Sequence, residues 1–145
     1  MKALVQRVKK AKVEINGKTY SQIEKGMLIF LGVAKEDTEK NSEELAQKLV
    51  KLRIFEDENE KMNLSLLDIK GEILVVSQFT LVGNCKKGNR PSFENSAPLK
   101  KAQDLYEHFL TEIKGFGLKT ESGKFQANMA VSLINDGPVT FMVEK

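Results

Sequence analysis

The apolar residues divide the chain into short blocks of two kinds. Residues 2–15 read as one strand that turns at Asn16-Gly17, a pair that accepts the positive φ angles of a type I′ hairpin. The return strand covers residues 18–23. Met27–Val33 is almost continuously apolar and predicts a buried strand. A helix follows, capped by Asp37 or Thr38, with Leu45, Ala46, Leu49, Val50 and Leu52 spaced as one buried stripe. Ile73–Val76 is a second buried strand and opens directly onto Ser77-Gln78-Phe79-Thr80. Ser96 or Ala97-Pro98 starts another helix, with proline in the first turn where its missing N–H costs nothing. That helix ends near Lys114-Gly115. From Phe125 the period becomes two, so that Phe125, Ala127, Met129, Val131 and Leu133 share one face of a strand. The chain then reaches Asn135-Asp136-Gly137-Pro138 and a final short strand, Val139–Val143. The predicted order is β-β-β-α-β-α-β-β, a mixed α/β class with a largely antiparallel sheet and helices packed outside it.

Length and composition add limits. A chain of 145 residues fits one domain, 1–145, with a core of its own. No repeat, linker or low-complexity tract divides it. The longest apolar run, Met27–Val33, is too short to span a bilayer. Charge arrives too early in Met1-Lys2-Ala3-Leu4-Val5-Gln6-Arg7 for a signal peptide. The expectation is a cytoplasmic, unprocessed protein with no membrane partner.

The single cysteine, Cys85, excludes an intrachain disulfide. It sits in the polar stretch Gly83–Arg90 with no histidine nearby in sequence, and reads as an incidental surface thiol. The single histidine, His108, lies off the apolar stripe formed by Ala102, Leu105, Tyr106, Phe109, Leu110 and Ile113, and reads as a solvated helix position. One histidine and one cysteine argue against a Cys/His metal site and against a Ser-His-Asp or Cys-His machine. The net charge is only +3, but the cations cluster: Arg7, Lys9, Lys10 and Lys12 on the first strand, and Lys86, Lys87 and Arg90 in one loop. Such clusters hold phosphates or form a solvated face, and pattern alone leaves both open.

Three places stand out chemically. Ser77-Gln78-Phe79-Thr80 puts polar side chains at the carboxyl end of a buried strand, where they line a cleft mouth or satisfy local backbone. Asn135-Asp136-Gly137-Pro138 is an ordinary turn signal, or a cis Gly-Pro bond that presents two carbonyls to a ligand. The face shared by Phe125 and Met129 is core, or a soft surface on which a nucleobase stacks.

Ser77-Gln78-Phe79-Thr80-Leu81 together with Asn135-Asp136-Gly137-Pro138-Val139-Thr140 resembles the two signatures of the D-aminoacyl-tRNA deacylases. The opening strand Met1–Val8 is similar to theirs. So are Arg53-Ile54-Phe55 with Lys61-Met62-Asn63, and the basic loop Arg90-Pro91-Ser92-Phe93, so the likeness runs through the whole chain. The resemblance implies a barrel-like sheet core. It implies a homodimer in which Ser77, Gln78, Phe79 and Thr80 line one wall of the site and Gly137 and Pro138 arrive from the other subunit. It further implies that Arg7 orients the Gly-Pro segment, and that Phe125 and Met129 form a pocket for the terminal adenosine of aminoacyl-tRNA. Lys86, Lys87 and Arg90 are then expected on tRNA phosphates. No metal or organic cofactor is implied.

Hydrolysis of the aminoacyl ester would rest on backbone N–H groups around Phe79 and Thr80 as oxyanion donors and on the ribose 2′-OH beside the ester. Thr80 as nucleophile is the runner-up, set back by the lack of a base. Gly137 and Pro138 would exclude L side chains and admit D residues and glycine. A non-catalytic module for the tRNA acceptor end, or a hydrolase of small esters, would use the same residues.

Overall fold

The computed structural model describes residues 1–145. Its elements are β1 (Lys2–Ile15), β2 (Lys18–Ile23), β3 (Gly26–Gly32), α1 (Glu39–Val50), β4 (Phe55–Glu56), β5 (Met62–Leu64), α2 (Leu66–Ile69), β6 (Glu72–Ser77), a 3₁₀ turn (Phe79–Val82), α3 (Leu99–Gly115), β7 (Thr120–Ser122) and β8 (Ala130–Glu144). Asn16 and Gly17 both have positive φ, 51° and 73°, as the β1–β2 hairpin requires.

β1 organises the sheet. One of its edges pairs antiparallel with β8 along nearly its whole length. The other pairs with β3 over Lys2–Val8 and then with β2 over Ala11–Ile15. β3 continues in parallel to β6, and β6 in parallel to β7. The Ser21 hydroxyl donates to the Ser122 carbonyl at 2.8 Å, tying β2 to β7 and curling the sheet into a nearly closed barrel. The expected antiparallel character therefore holds around β1, whereas pairing around β6 is parallel.

The curl makes two apolar interiors. Outside the sheet, α1 and α3 cover Val5, Ile29 and Val75 with Leu45, Leu49, Phe109 and Ile113. Inside it, Val8, Val13, Ile23, Leu28, Leu74 and Val76 pack together. β3 feeds both, Ile29 into one and Leu28 into the other, which explains its unbroken apolar run.

Several expectations need correction. Thr38 is the N-cap of α1. Asp37 is instead buried, accepting from the Met1 ammonium at 2.7 Å and from the Ala34 N–H at 2.6 Å. Helix α1 ends at Val50, so Leu52 packs on the core from beyond it. Pro98 is the N-cap of α3 rather than a first-turn residue. Phe125–Met129 is not a strand: Gln126 has φ of 62°, which breaks the extended run, and β8 begins at Ala130. Asn135–Pro138 does not separate two strands, because β8 keeps its pairing with β1 on both sides of it. β4, β5, α2 and β7, each of four residues or fewer, have no counterpart in the predicted order. Segments that short carry too few residues for a periodic signal. No helix is long and apolar enough to cross a membrane.

Gly26 lies opposite Glu72 where β3 meets β6, and a Cβ built on it falls 1.9 Å from the Glu72 carbonyl oxygen. Backbone cannot move aside as a flexible side chain does. Gly26→Ala is expected to cost about 3 kcal/mol through local overpacking, read as a lowered urea midpoint with an unchanged slope.

Candidate active site

β6 emerges from the apolar interior and ends at Ser77. The Gln78 N–H donates to the Leu31 carbonyl at 2.7 Å, the last tie to β3. The chain then tightens into the 3₁₀ turn, with Leu81 N–H donating to Gln78 and Gly83 N–H to Thr80. Phe79 and Thr80 are the first residues of this turn, so their N–H groups have no acceptor within it. The Gln78 amide donates to the Thr80 hydroxyl, joining the two polar side chains.

Beside this turn lies a cavity of about 340 Å³. Ser77, Gln78 and Phe79 form one wall. Leu99, Ala102 and Tyr106 of α3 form another, and Phe125, Leu31, Val33, Ser96 and Ala97 complete it. The lining is mostly apolar with a few polar groups at one end, the composition of a small-molecule site. A groove of about 430 Å³ between β1, β2 and β8 is larger, but its polar groups are Lys10, Lys12, Gln22, Glu24 and Ser132, and none belongs to either sequence motif.

Burial pushes the Tyr106 phenol up, so it stays protonated and donates to the Val75 carbonyl at 2.9 Å. Phe125 stands 5.7 Å from the Tyr106 ring. Met129 does not line the cavity; it packs on the second apolar cluster, with its sulfur against Gly123. His108 is not the solvated residue expected. It sits between α1 and α3 with Nδ1 3.1 Å from the Ser42 hydroxyl and Nε2 3.9 Å from both Glu43 and Glu112. Ser42 is fully buried, so this Ser-His-carboxylate set has no access to a substrate, and no histidine serves Thr80.

The second motif is a protrusion from β8. Gln6 of β1 faces Thr140 and Val8 faces Asn135, so the single residue Arg7 stands opposite Asp136, Gly137, Pro138 and Val139. The excess residues loop outward, with Gly137 and Pro138 exposed and the bond between them cis. Asn135 clips the base: its side-chain oxygen accepts from the Val139 N–H at 2.8 Å, and its amide donates to the Val139 carbonyl at 3.1 Å. Arg7, only 4% exposed, holds the near side. Its Nε donates to the Asp136 carbonyl at 2.7 Å, Nη1 to the Ile54 carbonyl at 2.8 Å and Nη2 to the Glu56 carboxylate at 3.1 Å.

Within one chain the two motifs stay apart. Ser77 is level with Leu31 and hence with Ala3, whereas the protrusion is level with Arg7. Four residues of strand separate those levels, about 13 Å. The first-strand cations are also divided, with Arg7 buried, Lys9 near Asp136 and Lys12 paired with Glu14. Lys86, Lys87 and Arg90 are exposed and form no ion pair. Sequence reasoning missed Asn135, Ile54 and Glu56 as supports of the protrusion. It read Ala102 and Tyr106 only as core, because helical spacing does not distinguish a core stripe from a cavity wall.

A family model described as D-Tyr-tRNA(Tyr) deacylase matches residues 4–144. A protein from Desulfatibacillum aliphaticivorans named D-aminoacyl-tRNA deacylase is 60% identical over 144 residues, 99% of this chain and 99% of its own. One of the same name from Thermosipho africanus (strain TCF52B) is 57% identical over 144 residues, 99% of this chain and 97% of its own. Among solved structures, a c-Myc DNA unwinding element binding protein superposes with a TM-score of 0.94 at 42% identity, covering 100% of this chain and 99% of that one. A probable eukaryotic D-amino acid tRNA deacylase shares the fold, with a TM-score of 0.87 at 17% identity over 99% of this chain and 98% of that one.

Arg7→Lys keeps the charge but offers three donors from one nitrogen, which cannot serve three acceptors lying in different directions. Leaving a buried carbonyl unpaired costs about 1–3 kcal/mol. Denaturant unfolding is expected to show that loss, and faster amide exchange at Val139 is expected to locate it.

Proposed function

The chain belongs to the D-Tyr-tRNA(Tyr) deacylase family, and on that premise we propose how its residues divide the work of hydrolysing D-aminoacyl-tRNA. The reaction cuts the ester between the amino acid and the terminal ribose. The terminal adenosine occupies the cavity between Phe79, Ala102, Tyr106 and Phe125, and Met129 supports that wall from behind through Gly123. The ester lies over the Ser77–Thr80 turn. Water attacks the carbonyl carbon, the Phe79 and Thr80 N–H groups receive the oxyanion, and the ribose 3′ oxygen leaves with the proton that the water gives up. The 2′-OH beside the ester assists the water. The observation that carries this reading is a cavity closed by a turn with free N–H donors and no side-chain base in reach. Such a site works by positioning and preorganised dipoles rather than by a nucleophilic triad.

Chiral selection requires a second copy of the chain. The protrusion at Gly137-Pro138 is exposed, braced by Arg7 and Asn135, and about 13 Å along the strand from its own Ser77 level. In a homodimer it closes over the partner's cavity. The Gly137 and Pro138 carbonyls then fill the volume that an L side chain needs. A D side chain points elsewhere and glycine has none, so glycyl-tRNA is cleaved too. Lys86, Lys87 and Arg90 hold tRNA phosphates.

The test is a deacylation assay on D-Tyr-, L-Tyr- and Gly-tRNA. D-Tyr- and Gly-tRNA should be cleaved and L-Tyr-tRNA spared. Thr80→Ala should keep most of the activity, because its N–H remains. A D-Tyr-tRNA ending in 2′-deoxyadenosine should be a poor substrate. A trapped acyl-Thr80 adduct would overturn the backbone mechanism. Asn135→Ala should loosen the protrusion and lower the D/L ratio on the order of tenfold. Sedimentation should give a dimer at assay concentrations, and a fully active monomer would remove the cross-subunit filter.

A further inference from the structure

Resting on that assignment of the cavity, we propose that Phe79 and Phe93 form a stacking platform for the unpaired nucleotides preceding the terminal adenosine. Large apolar side chains gather at the cavity mouth: Phe79 is 59% exposed, Leu99 55% and Phe93 38%. The rings of Phe79 and Phe93 lie 5.0 Å apart at 57°, so the pair extends the cavity wall outward as an aromatic surface. A strand whose last nucleoside fills the cavity leaves through this mouth and passes Phe79 first.

The platform is held in place. Asn84 and Ser92 exchange N–H to carbonyl bonds at 2.8 and 3.0 Å, closing the loop just before Phe93. The Phe93 carbonyl accepts from the Ser96 N–H at 2.9 Å. The ring rests on Gly83, where a Cβ would come within 2.8 Å of it. A rigid aromatic surface loses little entropy when it binds. The closed loop between its two ends carries Lys86, Lys87 and Arg90, none in an ion pair, with Glu94 the one acidic residue from Gly83 to Ser96. Exposed aromatic faces flanked by free cations are the combination that binds single-stranded nucleic acid, with bases stacked on the rings and phosphates on the cations. Stacking reads no particular base, so the platform serves any tRNA with the common unpaired end.

The experiment compares kcat/KM for D-tyrosine esterified to adenosine alone, to a cytidine-cytidine-adenosine trinucleotide, and to whole tRNA. The wild-type enzyme should gain on the order of tenfold from adenosine to trinucleotide. Phe93→Leu keeps apolar packing on Gly83 but removes the aromatic face. It should lose that gain on trinucleotide and tRNA alike while leaving the adenosine ester within about twofold, and Phe93→Trp should retain it. Paired Lys86→Ala and Arg90→Ala changes should flatten the salt dependence of tRNA binding. No gain on the trinucleotide, an equal loss on all three substrates, or dissociation of the dimer by Phe93→Leu would overturn the platform. Failure to cleave any of the three D-esters would instead overturn the deacylase assignment of the cavity, and the platform with it.

Discussion

A buried guanidinium sets the geometry on one side of the molecule. Arg7 projects from the middle of β1 with almost no exposure, and a charge so placed is tolerated only if its donors are met. They are met by two segments far apart in sequence: the Ile54 carbonyl and Glu56 carboxylate from one, and the Asp136 carbonyl from the other. The same contacts that satisfy Arg7 therefore dock the β4–β5 hairpin and fix the base of the β8 protrusion. Asn135 closes the other side of that base. The protrusion is thus a braced piece of backbone standing out from a strand, with none of the freedom of an ordinary surface loop.

The other motif is delivered by β6. It pairs in parallel with β3 and β7, its apolar residues pack alternately under the helices and inside the barrel, and its carboxyl end delivers Ser77 and the following turn to the surface. Helix α3 supplies the facing wall. Tyr106 contributes its ring to the cavity while its hydroxyl is engaged by Val75, so the wall stays apolar. The polar groups of the cavity are therefore gathered at its Ser77–Gln78 end and at Ser96. The one histidine is engaged elsewhere, bonded to a serine no substrate can reach.

Much of this was legible in the chain. The β1–β2 hairpin, β3, α1, β6 and α3 follow from Asn16-Gly17, from continuous apolar runs and from helical stripes, all local signals. The run from Phe125 to Leu133 misled, because alternation persists through a stretch where Gln126 turns the backbone left-handed. Asn135–Pro138 also misled: turn residues mark a departure from a straight strand, but they do not say whether the strand afterwards reverses or resumes. Here it resumes, because β1 offers pairing partners on both sides of the excursion.

By itself, the sequence determined the composition of both motifs, the shortage of histidine and cysteine that limits the chemistry, and the family likeness spread from one end to the other. Tertiary structure alone decided what those motifs face. Phe125 joined the cavity and Met129 went behind it, because a turn rather than a strand connects them. Arg7 left the surface cluster for the interior, because acceptors from two remote segments converge on it. Ser77–Thr80 and Gly137-Pro138 settled at different levels of the same sheet, because register along β1 and β3 is set by pairing between strands. Long-range pairing of that kind leaves no mark in any local stretch of residues.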